Sequence, residues 1–243
     1  MSVFAVFYRP DLRHVAEVAM RKYGAVELSC SQRFTHVFIL GGDGTLLEAA
    51  RRYPCVLDSV VVHLGMGRVN FYRSADISIP LEEAVSRVSR GEYKVVELST
   101  LRLGNCIAVN EISIFRRELG KLLSFRVATA EGQVVGRADG VLVSTPHGTS
   151  GYVASTFGPV VDYRLDAVVV SFIAPYTLFL RPLVLSSKYV EVEAAEDAVA
   201  LCDGRGGEEG RRFVIGRGDK TLKLAVFGEF NFLSRVMERL RSL

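Results

Sequence analysis

The chain has 243 residues, of which 49% are hydrophobic and 23% are charged. A chain of this length and composition can bury a sizeable core, which excludes an intrinsically disordered protein. The net charge of +3 is too small to indicate a nucleic-acid-binding platform, and the sequence contains no apolar run of about 18 residues that would predict a membrane span. The N-terminal residues lack the basic flank and cleavage site of a signal peptide. We therefore expect a cytoplasmic protein that binds neither nucleic acid nor membranes.

Arginine and cysteine usage adds two expectations. The chain has 24 Arg but 6 Lys, with only 4 Asn and 2 Gln, a bias that fits a thermophilic source and equally fits a GC-rich genome. The widely spaced cysteines, which form no C-x-x-C pair, are Cys30, Cys55, Cys106 and Cys202. We therefore expect no zinc site, and we expect three of the cysteines to be buried as small apolar residues. A disulfide is expected only if the source is a hyperthermophile.

The first ninety residues alternate between strand and helix patterns. Apolar runs predict strands over residues 3–8, 26–28, 36–40 and 60–64. Apolar residues at helical spacing, with capping signals, predict helices over residues 11–22, 45–52 and 81–89. This alternation predicts an α/β domain with a parallel sheet over residues 1–92.

The pattern changes after Gly91, where short runs rich in Val, Ile, Leu and Phe are separated by turns. These runs predict strands over residues 95–103, 107–115, 123–130, 140–144, 167–173, 189–194 and 222–226. A short helix is predicted over 150–155, and the charged, glycine-rich residues 204–210 are predicted to form a surface turn. We expect a mainly antiparallel, sandwich-like β domain over residues 93–226. An amphipathic helix is predicted within residues 227–243.

The first candidate site is Gly41-Gly42-Asp43-Gly44-Thr45, between a buried strand and a helix. Ligands bind at the carboxyl ends of strands in open α/β sheets, and glycines there let the backbone approach phosphates. A carboxylate among those glycines would repel phosphate, so it indicates a metal ligand or a base for a hydroxyl group. The alternative is that Asp43 only caps the helix. The sequence is not a Walker P-loop, because no Gly-Lys-Ser/Thr follows.

The second candidate site is the segment from Asp139 to Ser155. A predicted strand leads into Thr145-Pro146-His147-Gly148-Thr149-Ser150, a turn of small and hydroxylic residues. Hydroxyl groups and free amides in such a turn suit the polar groups of a nucleotide, and the ring of Tyr152 could stack on a base. The alternative is a tight turn in which Tyr152 fills the core.

Together these segments resemble those of the NAD kinase family, in its archaeal and thermophile-like form. The family's four motifs occur in its order: Gly41-Gly42-Asp43-Gly44-Thr45, Asn110-Glu111, Asp139-Gly140 through Tyr152, and Arg181-Pro182-Leu183-Val184-Leu185. The resemblance implies an α/β first domain, a β-rich second domain, and a C-terminal helix that returns to the first domain.

The resemblance also implies roles for individual residues. Asp43 is implied to be the catalytic base. The residues implied to bind or line the dinucleotide are Asp43, Gly44, Asn110, Glu111, Lys121, Arg137, Asp139, Ser150, Gly151, Tyr152, Val153, Ala154, Ser155 and Ala174. Five positions depart from the family pattern and leave the ligand pose and the choice between NAD and NADH open: Asn70, His147, Gly151, Phe157 and Arg205. His63, in an apolar strand, is predicted to be a core residue rather than a ligand.

The activity implied by the resemblance is phosphoryl transfer from ATP, another nucleoside triphosphate or polyphosphate to the 2′-hydroxyl of the adenosine ribose of NAD. A divalent cation, Mg²⁺ above all, is expected to arrive with the nucleotide, because the sequence offers no dedicated metal cage. A homodimer or homotetramer is expected. The alternatives are a lipid or sugar kinase that shares the glycine-rich loop, and a non-catalytic NAD(H)-binding regulator.

Overall fold

The computed structural model describes residues 3–66 and 70–241, so the ends of the predicted first domain and last helix, at 1–2 and 242–243, lie outside the described residues. The chain divides into two compact units. The first contains the residues up to Leu98 together with those from Lys220 onward, and the second is Ser99–Asp219. Among the described residues, no helix is both long and apolar enough to cross a lipid bilayer.

The first unit is built on a six-stranded sheet. Its strands are β1 (Phe4–Tyr8), β2 (Val26–Glu27), β3 (His36–Gly41), β4 (Val60–Gly65), β5 (Lys94–Leu98) and β16 (Leu222–Val226). The order in the sheet is β2-β1-β3-β4-β16-β5. Every pair is parallel except that between β16 and the edge strand β5. The predicted parallel sheet is therefore confirmed.

Within the described residues, four α-helices belong to the first unit. They are α1 (Arg13–Tyr23), α2 (Asp43–Arg52), α3 (Leu81–Ser89) and α4 (Phe232–Arg241). The helix α3 shows why they pack here: Leu81, Ala84, Val85 and Val88 recur at helical spacing and are all buried. The strand β3, in the centre of the sheet, is buried along its whole length, as expected for a parallel strand covered on both faces.

The second unit is a mainly antiparallel network of strands, as predicted. Its strands are β6 (Leu101–Leu103), β7 (Cys106–Ala108), β8 (Glu111–Arg116), β9 (Leu123–Thr129), β10 (Gly132–Ala138), β11 (Gly140–Ser144), β12 (Val168–Ile173), β13 (Leu183–Leu185), β14 (Tyr189–Cys202) and β15 (Arg205–Arg217). The long strand β14 joins the network, because its first half pairs with β9 and its second half with β8.

The division into units differs from the predicted boundaries at residues 92/93 and 226/227. The predicted strand over 95–103 is two strands, β5 and β6, which belong to different units. The pair β5 and β16 lies in the first sheet, with Leu98 opposite Leu222. Within the second unit, the backbone N–H of Gly218 donates to the carbonyl of Thr100 (2.8 Å). Short apolar strands look alike in any sheet, so composition did not mark the division.

Three other features differ from the predicted elements. The predicted surface turn at residues 204–210 lies largely in the first half of β15, which is exposed, consists of glycine and charged residues, and therefore lacks an apolar pattern. The strands β10 and β13 were not predicted. The predicted helix over 150–155 is instead two short 3-10 turns, His147–Ser150 and Tyr152–Thr156.

The cysteines also differ from expectation. They form two disulfides, Cys30–Cys55 in the first unit and Cys106–Cys202 in the second, with Cα–Cα distances of 5.6 and 6.5 Å. Only Cys202 is fully buried, at 0% exposure. The fold brings residues that are far apart in the sequence within bridging distance, which the sequence spacing alone did not reveal.

Candidate active site

The glycine-rich loop of the first unit lies at the carboxyl end of β3, where α2 begins. Gly41 has φ of 151°, and a Cβ atom there would overlap the side chain of Thr45. Glycine is therefore required for the chain to turn from the strand directly into the helix. This turn places Asp43 in the first turn of α2, half-buried, with Gly44 exposed beside it.

The carboxylate of Asp43 is held by a neighbouring loop. Its Oδ2 accepts a hydrogen bond from the backbone N–H of Phe71 (3.0 Å), and its Oδ1 accepts one from the N–H of Tyr72 (3.2 Å). The N-cap position of α2 is Gly42, which makes no side-chain cap. Asp43 therefore does not serve its own helix as a cap. A carboxylate has about four acceptor positions, so Asp43 keeps capacity to accept a bond from a hydroxyl group.

His63 lies in the core beneath this loop, as predicted. Its Nε2 donates to the carbonyl oxygen of Gly41 (3.0 Å). Burial lowers the pKa of His63 below its usual value of 6.5, while the negative charge of Asp43 acts in the opposite direction. The Nδ1 atom of His63 is also buried and makes no hydrogen bond to a described residue. The imidazole is therefore neutral at pH 7 and fixes the carbonyl that precedes Asp43.

In the second unit, Asn110 and Glu111 form a buried turn where β8 begins, with exposures of 3% and 7%. The carboxylate of Asp203 organises this turn. It accepts hydrogen bonds from the backbone N–H groups of Val109 (2.8 Å), Asn110 (2.7 Å) and Glu111 (3.2 Å). The N–H of Asp203 in turn donates to the carbonyl of Glu111 (2.9 Å).

The turn after β11 packs directly on Asn110. The N–H of Thr145 donates to the carbonyl of Asn110 (2.9 Å). The hydroxyl of Thr145 donates to the carbonyl of Val109 (2.9 Å) and accepts from the N–H of Gly148 (3.0 Å). A Cβ atom at Gly148 would overlap the Asn110 carbonyl, so the two motifs approach closely only because residue 148 is glycine. The structure therefore brings Asn110-Glu111 and the start of the Ser150 segment together.

The hydroxyl groups of the segment Ser150–Ser155 are engaged in the turns themselves. Ser150 is fully buried and donates to the carbonyl of His147 (3.0 Å), and Ser155 donates to that of Tyr152 (2.8 Å). Tyr152 is 41% exposed, so its ring is available for stacking and does not fill the core. Gly151, Val153 and Ala154 lie in the same turns, and Val153 is buried.

The remaining predicted residues lie elsewhere in the second unit. Three of them, Arg137, Asp139 and Ala174, lie at the beginning of β11. The N–H of Asp139 donates to the carbonyl of Ile173 (2.8 Å). The guanidinium of Arg137 lies over the ring of Tyr176, 4.4 Å from its centre. The Asn110 turn lies at the other end of β11, about 14 Å away at the usual rise per residue. The structure does not bring these two groups together.

Lys121 is also separate. It is exposed and pairs with Glu118 (2.8 Å).

Two contributions were missed by the sequence reasoning. Asp203 precedes a glycine, and Asp-Gly pairs are typical of turns in which the carboxylate binds nearby backbone; that was the available signal. The Phe71–Tyr72 backbone left no signal, because peptide groups are common to all residues. Among residues 3–66 and 70–241, no cluster of three or more His, Cys, Asp or Glu side chains could hold a metal ion.

Known proteins resemble this chain in sequence and in structure. The model of the ATP-NAD kinase C-terminal domain matches residues 109–224. The NAD kinase of Corynebacterium glutamicum is 32% identical over 88% of this chain and 84% of its own length. That of Bifidobacterium longum is 31% identical over 84% of this chain and 65% of its own length.

Two solved structures share the fold. An NAD kinase from Archaeoglobus fulgidus in complex with ATP has a TM-score of 0.78 at 24% identity, over 99% of both chains. Yeast NADH kinase complexed with NADH has a TM-score of 0.82 at 15% identity, over 100% of this chain and 88% of the other. At these identities the likeness shows the fold alone, with one α/β unit and one mainly antiparallel β unit.

The relatives at 31–35% identity define the family, and the chain belongs to the NAD kinase family. It spans about 65% of the length of the Bifidobacterium relatives that it matches.

Proposed function

We propose that this chain is an NAD kinase, which transfers the γ-phosphoryl group of ATP to the 2′-hydroxyl of the adenosine ribose of NAD. A bond forms between that oxygen and the γ-phosphorus, the bond to the bridging oxygen of ADP breaks, and the hydroxyl proton is released. The observation that carries the proposal is the loop at the end of β3 in a member of this family. There Asp43 lies in the first turn of α2, oriented by two backbone N–H groups.

Asp43 is proposed to orient the ribose hydroxyl and accept its proton. A free hydroxyl is a weak nucleophile at neutral pH, and a positioned carboxylate contributes about 10²–10⁴-fold as a general base. The two N–H bonds hold the carboxylate in one orientation without using all of its acceptor positions. The protein's remaining task in phosphoryl transfer is to position the reactants and stabilise charge.

The donor is proposed to enter as MgATP. The ATP bound to the Archaeoglobus relative supports a nucleoside triphosphate donor. Mg²⁺ is proposed to arrive with the nucleotide, coordinated by its phosphates and by water.

The acceptor is proposed to bind in the second unit, at the Asn110-Glu111 turn and Tyr152. Asn110 can offer amide donors and acceptors, Glu111 can accept from ribose hydroxyls, and Tyr152 presents an exposed ring. Gly44, Lys121, Arg137, Asp139, the Ser150–Ser155 segment and Ala174 remain proposed contacts of the dinucleotide. NAD is the proposed substrate, and the NADH bound to the yeast relative makes NADH the alternative to test.

The deciding experiment measures NADP produced by the purified chain from NAD, ATP and Mg²⁺, using an NADP-specific dehydrogenase for detection. We expect NADP with ATP, no NADP when EDTA removes Mg²⁺, and less or none when ATP is replaced by polyphosphate. Activity with polyphosphate but none with ATP would contradict the proposed donor. NAD binding without NADP from either donor would instead identify a non-catalytic binding protein.

A homo-oligomer, dimer or tetramer, is also proposed, built on the second unit. Large apolar side chains of that unit are exposed, including Val135 (66%), Tyr176 (68%), Leu178 (80%) and Phe179 (95%). Exposed apolar residues in such number are typical of an interaction surface. Light scattering at micromolar concentration should give a multiple of 26.7 kDa, and a monomeric mass would contradict the proposal.

The cytoplasm is the proposed location, because NAD and ATP are available there. The two disulfides fit this location only in a hyperthermophile, since reducing cytosols otherwise keep thiols free.

A further inference from the structure

Among the residues that the structure describes, the largest fully buried side chain is a charged one, Arg235 of α4, which is 1% exposed. Its Nη1 donates to the carbonyl oxygens of Phe71 (2.9 Å) and Arg73 (2.6 Å), and its Nη2 donates to Oδ1 of Asp76 (2.9 Å). Its guanidinium also lies 4.6 Å from the ring of Phe230. A buried cation that uses its donors on one loop organises that loop.

The same loop holds Asp43. The carbonyl of Phe71 and the N–H of Tyr72 belong to one peptide group, and in a trans peptide these two point in opposite directions. On one side the Phe71 carbonyl accepts from Arg235, and on the other the Tyr72 N–H donates to Oδ1 of Asp43. This single peptide group therefore lies between a buried cation and the carboxylate.

Such an arrangement fixes the peptide strongly. Both of its hydrogen bonds involve a charged partner, and charge-assisted bonds are stronger than neutral ones. Hydrogen bonds in series also polarise one another in a region of low dielectric constant. Rotation of the peptide away from Asp43 would break the bond to Arg235 as well, so the orientation of the carboxylate depends on a residue of the C-terminal helix.

We propose that Arg235 is a positioning residue for Asp43, acting through the Phe71–Tyr72 peptide. The expected effect of Arg235 on turnover rests on the proposed function, whereas its expected effect on the Phe71–Tyr72 peptide does not. Removing Arg235 leaves Asp43 in place and lets its carboxylate take orientations that do not meet the ribose hydroxyl. The rate of the transfer should then fall while the binding of NAD changes little.

The chain offers a matched control on the same helix. Glu238 makes a bidentate ion pair with Arg73 (2.5 and 3.1 Å), which also joins α4 to the loop but does not involve the Phe71–Tyr72 peptide. If α4 matters only as general support, Glu238→Ala and Arg235→Met should act alike. If Arg235 positions Asp43, only the Arg235 variant should change the carboxylate.

The experiment has a kinetic arm and an arm that needs no turnover. In the kinetic arm, Arg235→Met is expected to lower kcat about tenfold with KM for NAD within about twofold, as for a lost charge-assisted bond. Glu238→Ala is expected to leave kcat unchanged. In an Asp43→Asn background, Arg235→Met should cause no further loss of kcat, because it acts through the missing carboxylate.

In the second arm, amide hydrogen exchange is measured on the folded variants. The Tyr72 N–H is expected to lose protection in Arg235→Met and to keep it in Glu238→Ala. Arg235→Lys retains the buried positive charge and serves as the second variant if Arg235→Met does not fold. In Arg235→Lys the Tyr72 N–H is expected to lose an intermediate amount of protection. Unchanged Tyr72 protection in both Arg235 variants would overturn the proposal, as would equal losses of kcat with and without Asp43. A wild-type chain that makes no NADP would overturn the proposed function alone, since the exchange arm still decides the positioning.

Discussion

Each unit of the molecule contains one aspartate whose carboxylate binds the backbone of a distant loop. In the first unit Asp43 accepts from two N–H groups, those of Phe71 and Tyr72. In the second unit Asp203 accepts from three, those of residues 109–111, and its own N–H donates back to Glu111. Both carboxylates order a segment that the sequence leaves without regular structure.

The two carboxylates differ in the acceptor positions that remain available for a ligand. Asp203 uses its acceptor positions on a turn that is itself buried, so its role is complete within the fold. Asp43 makes fewer bonds and lies in a helix N-terminal turn beside the exposed Gly44, where acceptor capacity remains for a ligand. Backbone hydrogen bonds alone therefore do not distinguish the structural carboxylate from the proposed catalytic one, whereas the unused acceptor positions do.

The strongest test of this contrast is Asp43→Asn. Asn keeps one acceptor oxygen but cannot take the ribose proton, so turnover should fall by at least about 10²-fold, the lower range for a general base. One N–H of the Phe71–Tyr72 loop would face an amide NH₂, which should lower the free energy of unfolding by about 1–3 kcal/mol. Initial rates of NADP formation and urea denaturation measure the two effects. Retention of more than about a tenth of wild-type turnover would refute the assignment.

The disulfides compare the units in another way. Removing Cys30–Cys55 or Cys106–Cys202 by paired Cys→Ala substitutions should each lower the free energy of unfolding by about 2–4 kcal/mol. The second pair should cost more, because it closes a sequence separation of 96 residues against 25 for the first. Urea denaturation of the oxidised protein and both variants measures this. Four titratable thiols in denatured, unreduced protein would show that neither bridge forms.

Asp203→Asn is the counterpart of the Asp43 substitution. Asp203 has φ of 49°, a conformation that Asn tolerates well, so the change removes the charge and one acceptor without straining the backbone. The Asn110-Glu111 turn should loosen, and KM for NAD should rise about tenfold, the equivalent of about 1.4 kcal/mol, while kcat changes less. A kcat loss as large as that of Asp43→Asn would erase the distinction between the two carboxylates.

The smallest predicted effect concerns pH and His63. Its pKa in the folded protein is below the usual 6.5, so as pH falls below about 6.5 the unfolded chain takes up a proton that the folded chain does not. Stability contributed by the neutral imidazole is therefore present above that pH and is lost as pH falls toward the folded pKa. Between pH 7.5 and 5.5 the wild type should lose about 1 kcal/mol more than His63→Gln. Equal losses in urea denaturation would contradict this.

Much of the first unit could be predicted because its signals are local. The helix α3 has the predicted bounds, and β3 and β4 are short apolar runs ended by glycine. The β-rich unit was harder. The first half of β15, residues 205–212, consists only of glycine and charged residues, and its pairing with β14 makes it a strand. Likewise, the glycines around Asp43 single it out in the sequence. Arg235 lies in an ordinary amphipathic helix 192 positions away, and nothing in the sequence indicates that the fold brings it to the same loop.

The chain leaves the first unit after Leu98 and re-enters it at Lys220. Leu98 pairs directly with Leu222 across two neighbouring strands, and within the second unit Thr100 and Gly218 are hydrogen-bonded to each other. The second unit is thus an insertion into the first, and the two ends of the insertion lie next to each other. In the first unit, a hairpin turn would be long enough to connect the two strands that flank the insertion. Closing so short a gap costs little chain entropy. A gene in which a two- or three-residue turn replaces residues 99–219 therefore encodes a continuous α/β unit, and residues 99–219 alone suit circular permutation at their joined ends.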